Sequence, residues 1–312
     1  MRTSLFTLIL MYSPVIFGQV NFDEKSVQVK PNLELNKIYK YSFTDRNFSI
    51  SVNDTVSKII NQSEKTMELI DKNDFANKFE FVNGKNESND PDDFYRDFIN
   101  NSDGIKYQFT TNPSGEFLEL LNTSEIEGSL LKITDKLGKQ RKKSEEYKAN
   151  ITHIEDMIKS KTYVPYVFEQ EVHVFNYFNG QYFRLGETYE GKSVQENIFG
   201  FPISSTTNTY LKEINQANGT YTVVSDQNLS KDDFEKLWEE MAYYMLNDAK
   251  LNLSQEQVKK EIKKYSETVQ LKVSYKNTYD LNSILLKSDY FFSLNIGSKK
   301  TVNHLSINLL ND

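Results

Sequence analysis

From Val27 onward, apolar and polar positions alternate with a period of two. Val27-Gln28-Val29 leads to Leu33 and Leu35, then to Tyr39, Tyr41 and Phe43. Successive side chains on a strand point to opposite faces, so the pattern predicts strands with one buried face. Phe48 to Val52 continues it before a turn at Asn53-Asp54. Thr66 to Ile70 and Phe75 to Val82 read as a hairpin around Asp71 to Asp74, and Asn83-Gly84 closes the run. The first quarter is an antiparallel meander.

The rest of the chain is organised around Thr207 to Lys264. Thr209-Tyr210-Leu211 passes through Asn218-Gly219 into Thr220 to Val224, and Asn-Gly between two β-rich runs predicts a tight hairpin with positive φ at both turn positions. Ser230 then caps a helix with Asp232 and Asp233 in its first turn, where the helix dipole favours negative charge. Its stripe of Phe234, Leu237, Trp238, Met241 and Met245 predicts a helix braced against a sheet, with Trp238, the sole tryptophan, at the centre of that packing. Ser254 and Gln257 make a capping box for a second helix. The order strand, turn, strand, cap also occurs from Ile105 to Leu131, through Asn112 to Gly115, and predicts two related halves.

Between these blocks, Asp90, Pro91 and the acids that follow read as a helix start with Asp90 as cap. Tyr147, Ile151, Ile154 and Ile158 fall at helical spacing. Val172 to Tyr182 reads as strand with a hairpin at Asn179-Gly180, and Phe199 to Ile203 as a loop. Strand alternation resumes at Val269 to Tyr275 and fills Ile284 to Ile296 and Leu305 to Leu309.

Composition adds an address. Arg2, an apolar run from Leu5 to Phe17, and Ile16 with Gly18 ahead of Gln19 predict a signal peptide over residues 1–18. No later stretch is apolar enough to span a bilayer as a helix, so no stable membrane span is expected after cleavage. With no cysteine, the chain is excluded from thiol catalysis, cysteine-ligated zinc and lipid modification at an N-terminal cysteine. A formal charge of −7 gives no footprint for nucleic acid. Nineteen Tyr and 21 Phe favour a sheet-rich fold and supply side chains for an apolar pocket.

Several patterns bear on chemistry. Gly186 to Ser193 satisfies the phosphate-loop spacing, but Gly200 and Pro202 leave no room for the helix that such a loop must open. A glycine-bounded turn is the reading. The acids between Glu87 and Asp103 lack calcium-loop spacing. Lys139, Arg141, Lys142 and Lys143 read as a solvated helix connection. His153 is expected to be exposed, His173 to lie mid-strand and His304 in the last strand, none with metal-ligand spacing. No G-x-S-x-G elbow or H-E-x-x-H helix is present. Sequons occur at Asn47, Asn53, Asn61, Asn150 and Asn218, and Asp54-Thr55-Val56 resembles a bacterial O-glycosylation sequon.

The Lys37-Ile38-Tyr39-Lys40-Tyr41 strand, the Gly115 to Asn122 step and the block from Phe199-Gly200-Phe201-Pro202-Ile203 to Asn218-Gly219 resemble a group of uncharacterised exported proteins of Bacteroidetes-type bacteria, a domain of unknown function. That resemblance implies a bacterial, periplasmic or secreted setting and carries no catalytic residues. The expected fold is α+β: strongly curved antiparallel sheet with helices packed on one face. The layering resembles that of periplasmic carriers of lipoproteins or lipids, a likeness of fold alone. The expected division is a signal peptide at 1–18, an N-terminal half at 19–165 and a C-terminal half at 166–312. The expected function is non-enzymatic binding of an apolar small molecule or lipid in the sheet's concavity, with no cofactor, no metal and no assigned catalytic residue. Two other readings are a carboxylate-dependent secreted hydrolase, which needs two facing acids in a cleft, and a surface protein-interaction module.

Overall fold

The computed structural model describes residues 19–51, 54–140, 144–161, 163–196, 202–228, 256, 270–296 and 299–310. The expected signal peptide and the expected helices after Ser230, with Trp238 and the Ser254 capping box, lie outside the described residues apart from helical Glu256. So do Phe199 to Phe201 of the expected loop, whose last two residues, Pro202 and Ile203, instead open a strand over Pro202–Asn215.

The chain opens with two short strands, β1 (Val20–Asn21) and β2 (Ser26–Gln28). Long strands β3 (Ile38–Ser51), β4 (Asp54–Lys72) and β5 (Asn77–Ser88) lead through helix α1 (Asp93–Asn100) to β6 (Lys106–Thr111) and β7 (Phe117–Leu120). Helices α2 (Thr123–Gln140) and α3 (Glu145–Lys159) follow, then a π-helical turn (Pro165–Glu169) that runs into α4 (Gln170–Asn176). The remainder is β8 (Tyr182–Arg184), β9 (Thr188–Glu196), β10 (Pro202–Asn215), β11 (Thr220–Asn228), β12 (Gln270–Asp280), β13 (Leu285–Ile296) and β14 (Lys299–Leu309). Eleven strands form one antiparallel sheet in the order β7-β6-β5-β4-β3-β14-β13-β12-β11-β10-β9, and β1, β2 and β8 form a small second sheet.

Period-two alternation places the large side chains of these strands on one inner face. Tyr39 pairs with Met67, Met67 with Phe81 and Phe81 with Tyr107, so four buried side chains form a row across the sheet. The rings of Phe81 and Tyr107 stack at 5.2 Å, and those of Phe79 and Phe109 at 5.1 Å. Helical residues close over this face. Phe175 meets Tyr41 and Phe81 edge-on at 5.1 and 5.4 Å, Phe168 meets Tyr107 at 5.1 Å, and Tyr177 stacks on Tyr275 at 3.8 Å. The α+β expectation holds. Strong curvature does not: the sheet is open, with β7 and β9 as its edges among the described residues. Helices, rather than the sheet curling on itself, cover the apolar face.

Four local readings change. Val172 to Gln181 is not strand, because Val164, Phe168, Val172 and Phe175 recur at helical spacing and all are buried, and only Tyr182 begins β8. His173 therefore sits on α4, and Gly180, at φ +84°, turns the chain out of that helix. The cap of α1 is Asp92, whose carboxylate accepts from the amides of Phe94 and Tyr95, while Asp90 accepts from Asp92 N. The β10–β11 hairpin forms as expected but over the four residues Gln216 to Gly219, with positive φ at Gly219 and not at Asn218. Strand β5 also runs past Asn83-Gly84 to Ser88, with Asn83 bonded to Ile105 rather than ending the run.

One building plan occurs twice, in a register different from the expected one. Asn36 (φ +60°) and Gly186 (φ +88°) each follow a leucine that makes a parallel bridge, Leu35 to Leu69 and Leu185 to Leu211. Tyr39 Oη accepts from Glu34 N at 3.3 Å, as Tyr189 Oη does from Arg184 N at 3.2 Å. Lys37–Glu34 and Arg184–Glu187 are matching ion pairs. The β4–β5 ladder slips at Leu69/Asp71 and the β10–β11 ladder at Leu211/Glu213. The turns Asn112 to Glu116 and Asp280 to Ile284 share the same four hydrogen bonds, with Gly115 (φ +94°) and Ser283 (φ +59°) in the left-handed position. The Thr207 hairpin thus corresponds to β4–β5, not to the Ile105 hairpin. Helices α2 to α4 lie between the two copies.

Candidate functional site

Helices α1, α2 and the π-turn with α4 do not seat flush on the sheet. A cleft of about 530 Å³ remains between them and the inner faces of β3, β4, β5, β13 and β14. Its helical wall is mostly apolar, with Phe98 from α1, Leu130 from α2, and Phe168 and Val174 from the π-turn and α4, broken by Gln170 and Glu171 of α4. Tyr290, Phe292 and Leu305 form part of the sheet side.

The polar part of the sheet side comes from residues that interrupt the alternation. Tyr39, Tyr41 and Phe43 are followed on the same face by Asp45 and Asn47. Asn303 donates to Asn47 Oδ1 at 2.7 Å, Asn47 to Asp45 Oδ2 at 2.9 Å, and Asn61 reaches the same Oδ2 at 3.5 Å. Ser88 donates in turn to Asn61 Oδ1 at 2.7 Å. A hydrogen-bonded row thus crosses β14, β3, β4 and β5 and converges on one carboxylate. Asp45 Oδ1 is shielded and has no hydrogen-bond partner among the described residues. Burial pushes the Asp45 carboxyl above its ordinary value, opposed by the Asn amides and by His304.

A second cluster lies further along β4. Lys65 Nζ donates to both Glu171 oxygens, at 2.6 and 2.7 Å, and sits 5.0 Å from the Phe43 ring centroid. Tyr107 Oη donates to Glu171 Oε2 at 3.0 Å. Burial, with the adjacent Glu171 carboxylate, holds the Tyr107 phenol well above its ordinary value. This cluster ties α4 to the sheet.

Two other hollows differ in kind. One of about 20 Å³ touches Tyr41, Asn77 and Asn179, the right size for one water. A wide, polar depression lies across β9 to β12, where Tyr210 donates to Asp226.

The sequence-derived candidates do not converge on the cleft. His153 is exposed on α3, and His173 packs edge-on to Tyr177 at 5.6 Å with its pKa lowered by burial. His304 Nε2 lies 3.2 Å from Asp289 Oδ1. Among the described residues, no three His, Asp or Glu are grouped to hold a metal. The acids near α1 have structural partners: Asp92 caps the helix, Asp103 accepts from Asn86, and Asp97 accepts from Tyr147. Gly191, Lys192 and Ser193 lie inside β9, so no helix opens there, and a Cβ on Gly191 would meet Thr207 Oγ1 at 2.8 Å. Lys139 pairs with Asp135, while Arg141 to Lys143 lie outside the described residues. Of the sequons, Asn47, Asn61 and Asn150 have amides bonded to carboxylates, Asn218 is exposed in its turn, and Asn53 lies outside the described residues.

Asp45, Lys65 and Glu171 were not singled out from sequence. A usable signal existed for two of them, since Asp45 and Lys65 are charges in positions that the alternation assigns to the apolar face. The chain matches no protein-family model and no curated protein.

Proposed function

We propose that this protein is a non-enzymatic binding protein that holds an apolar or lipid-like small molecule between its sheet and its helical layer. The observation that carries this reading is the cleft of about 530 Å³, walled by Phe98, Leu130, Phe168 and Phe292 and furnished with one row of polar groups. Small-molecule sites have this size and this mixture of apolar lining with a few placed polar groups. The ligand lies under the helices rather than in a curled sheet. Native mass spectrometry of the purified protein tests the reading. Co-purified mass, or uptake of a neutral apolar probe such as 1-decanol, is the expected result. A protein that takes up no apolar probe would overturn it.

Carboxylate-dependent hydrolysis is less well supported. Asp45 and Glu171 both line the cleft, but Glu171 is neutralised by Lys65. Lys65 pairs across from Tyr41, four residues before Asp45 on β3, which is about 13 Å of strand. Facing acids in glycosidases stand roughly 5 to 10 Å apart.

Export is part of the proposal, as in the Bacteroidetes-type proteins that the chain resembles. Its test is the mature N-terminus, expected at Gln19. A full-length chain recovered from the cytoplasm of the native host would count against it.

A further inference from the structure

We infer that the cleft selects a cationic amphiphile, an apolar body headed by an amine or quaternary ammonium that seats on Asp45. The inference rests on the binding reading above and names the chemistry of its ligand.

Charge supplies the first argument. Among the described residues, the charged side chains of the cleft are Asp45, Lys65 and Glu171. Lys65 and Glu171 neutralise one another at 2.6 Å, which leaves Asp45 with no Lys or Arg partner among the described residues, while the nearby His304 bonds Asp289. A carboxylate withdrawn from water is stable only when paired or well hydrogen-bonded. Asp45 receives its hydrogen bonds from neutral amides at Oδ2 and none at Oδ1. Oδ1 is itself closed off from solvent, so a ligand cation would neutralise the carboxylate by its charge rather than by bonding to that oxygen. A fatty acid or phosphate head would instead meet an uncompensated carboxylate, with the cleft's one lysine already engaged.

Placement supplies the second. Asp45 pairs with Leu305 and Leu305 with Tyr290, while Phe292 pairs with Asn303 and Asn303 with Asn47. Two aromatic rings therefore stand on the same face within two strands of the carboxylate. Ring faces attract ammonium groups, and carboxylate with aromatic walls is the chemistry that recognises them. The apolar wall of Phe98, Leu130 and Phe168 receives the remainder of the molecule.

The test compares three probes of equal chain length by calorimetry below their aggregation limits: decyltrimethylammonium, 1-decanol and decanoate. The expected order is ammonium tightest, alcohol next and decanoate weakest, with ammonium over alcohol roughly tenfold or more. In Asp45→Asn, the ammonium-to-alcohol ratio falls close to one. Phe292→Leu lowers the same ratio while keeping an apolar side chain, and serves if Asp45→Asn does not fold by circular dichroism. Equal affinities in the parent, or a ratio unchanged in both variants, overturn the inference and leave the binding reading standing. Failure of all three probes to bind overturns both.

Discussion

Lys65 brings a full charge to a face otherwise occupied by Tyr41, Met67 and Phe81, and its side chain is only 8% exposed. What makes this tolerable is local. Glu171 accepts from it with both oxygens, and the rings of Phe43 and Tyr107 face its ammonium. Removing one member strands the other, so Glu171→Ala should destabilise by about 3 to 5 kcal/mol. Lys65→Met with Glu171→Leu should recover most of that loss, because an apolar pair leaves no buried charge. Urea melts of the three proteins check the order. Asp45 makes stability depend on pH. Its folded-state pKa lies above the unfolded value, so the native state holds the proton longer and the parent gains stability as pH falls through the folded value. Asp45→Asn lacks this titration. Its stability relative to the parent should therefore be highest near about pH 7 and decline as pH falls through the raised folded value toward about pH 4, the ordinary carboxylate value. Denaturant midpoints across that window measure it, and a pH-independent difference would refute it.

Elements are held by two devices, turns and ring ladders. Asn112 and Asp280 each accept two backbone amides in equivalent five-residue turns. Either residue changed to Ala should lose about 1 to 2 kcal/mol, whereas Asn112→Asp and Asp280→Asn keep the acceptor and should stay within about 0.5 kcal/mol. Phe81 is the centre of the ladder, fully buried and touching Phe43, Tyr107, Phe109 and Phe175. Phe81→Ala should cost about 3 to 5 kcal/mol by thermal or urea unfolding. A loss under about 1 kcal/mol would mean that the helical layer collapses into the space.

At the scale of the molecule, the two copies join in the main sheet where β14 pairs with β3 from Lys299↔Ser51 to Leu309↔Tyr41, and again in the small sheet where β2 pairs with β8. No break in the ladder separates them, so the expected division at residue 165/166 marks no gap in the sheet. Hydrogen exchange should be slowest in β3, β4 and β14 and fastest in β7 and β9, whose outer backbone groups have no strand partner among the described residues. Peptide-resolved deuterium uptake checks this. Equal protection of β9 and β3 would point to a partner on the β9 edge.

Much of this was legible in residue order. Period-two alternation marked β3, the β4–β5 hairpin and β12 to β14, because side chains on a strand must alternate between core and solvent. Helical spacing marked α3, and Asn218-Gly219 marked the β10–β11 hairpin. The repeat was legible too, but aligned wrongly, since what identifies it is hydrogen-bond geometry around Tyr39 and Tyr189 rather than residue identity. Val172 and Val174 fit both periods, and only packing against Tyr41, Phe81 and Tyr107 made that segment a helix. Pairing β3 with β14 joins residues more than two hundred positions apart, which no local pattern encodes. The same holds for the candidate site. Alternation could mark Asp45 and Lys65 as misplaced charges, but it could not supply Glu171 for one and leave the other without a cation. That difference arises where α4 comes down on the sheet, because only the fold sets which distant charges lie close enough to cancel.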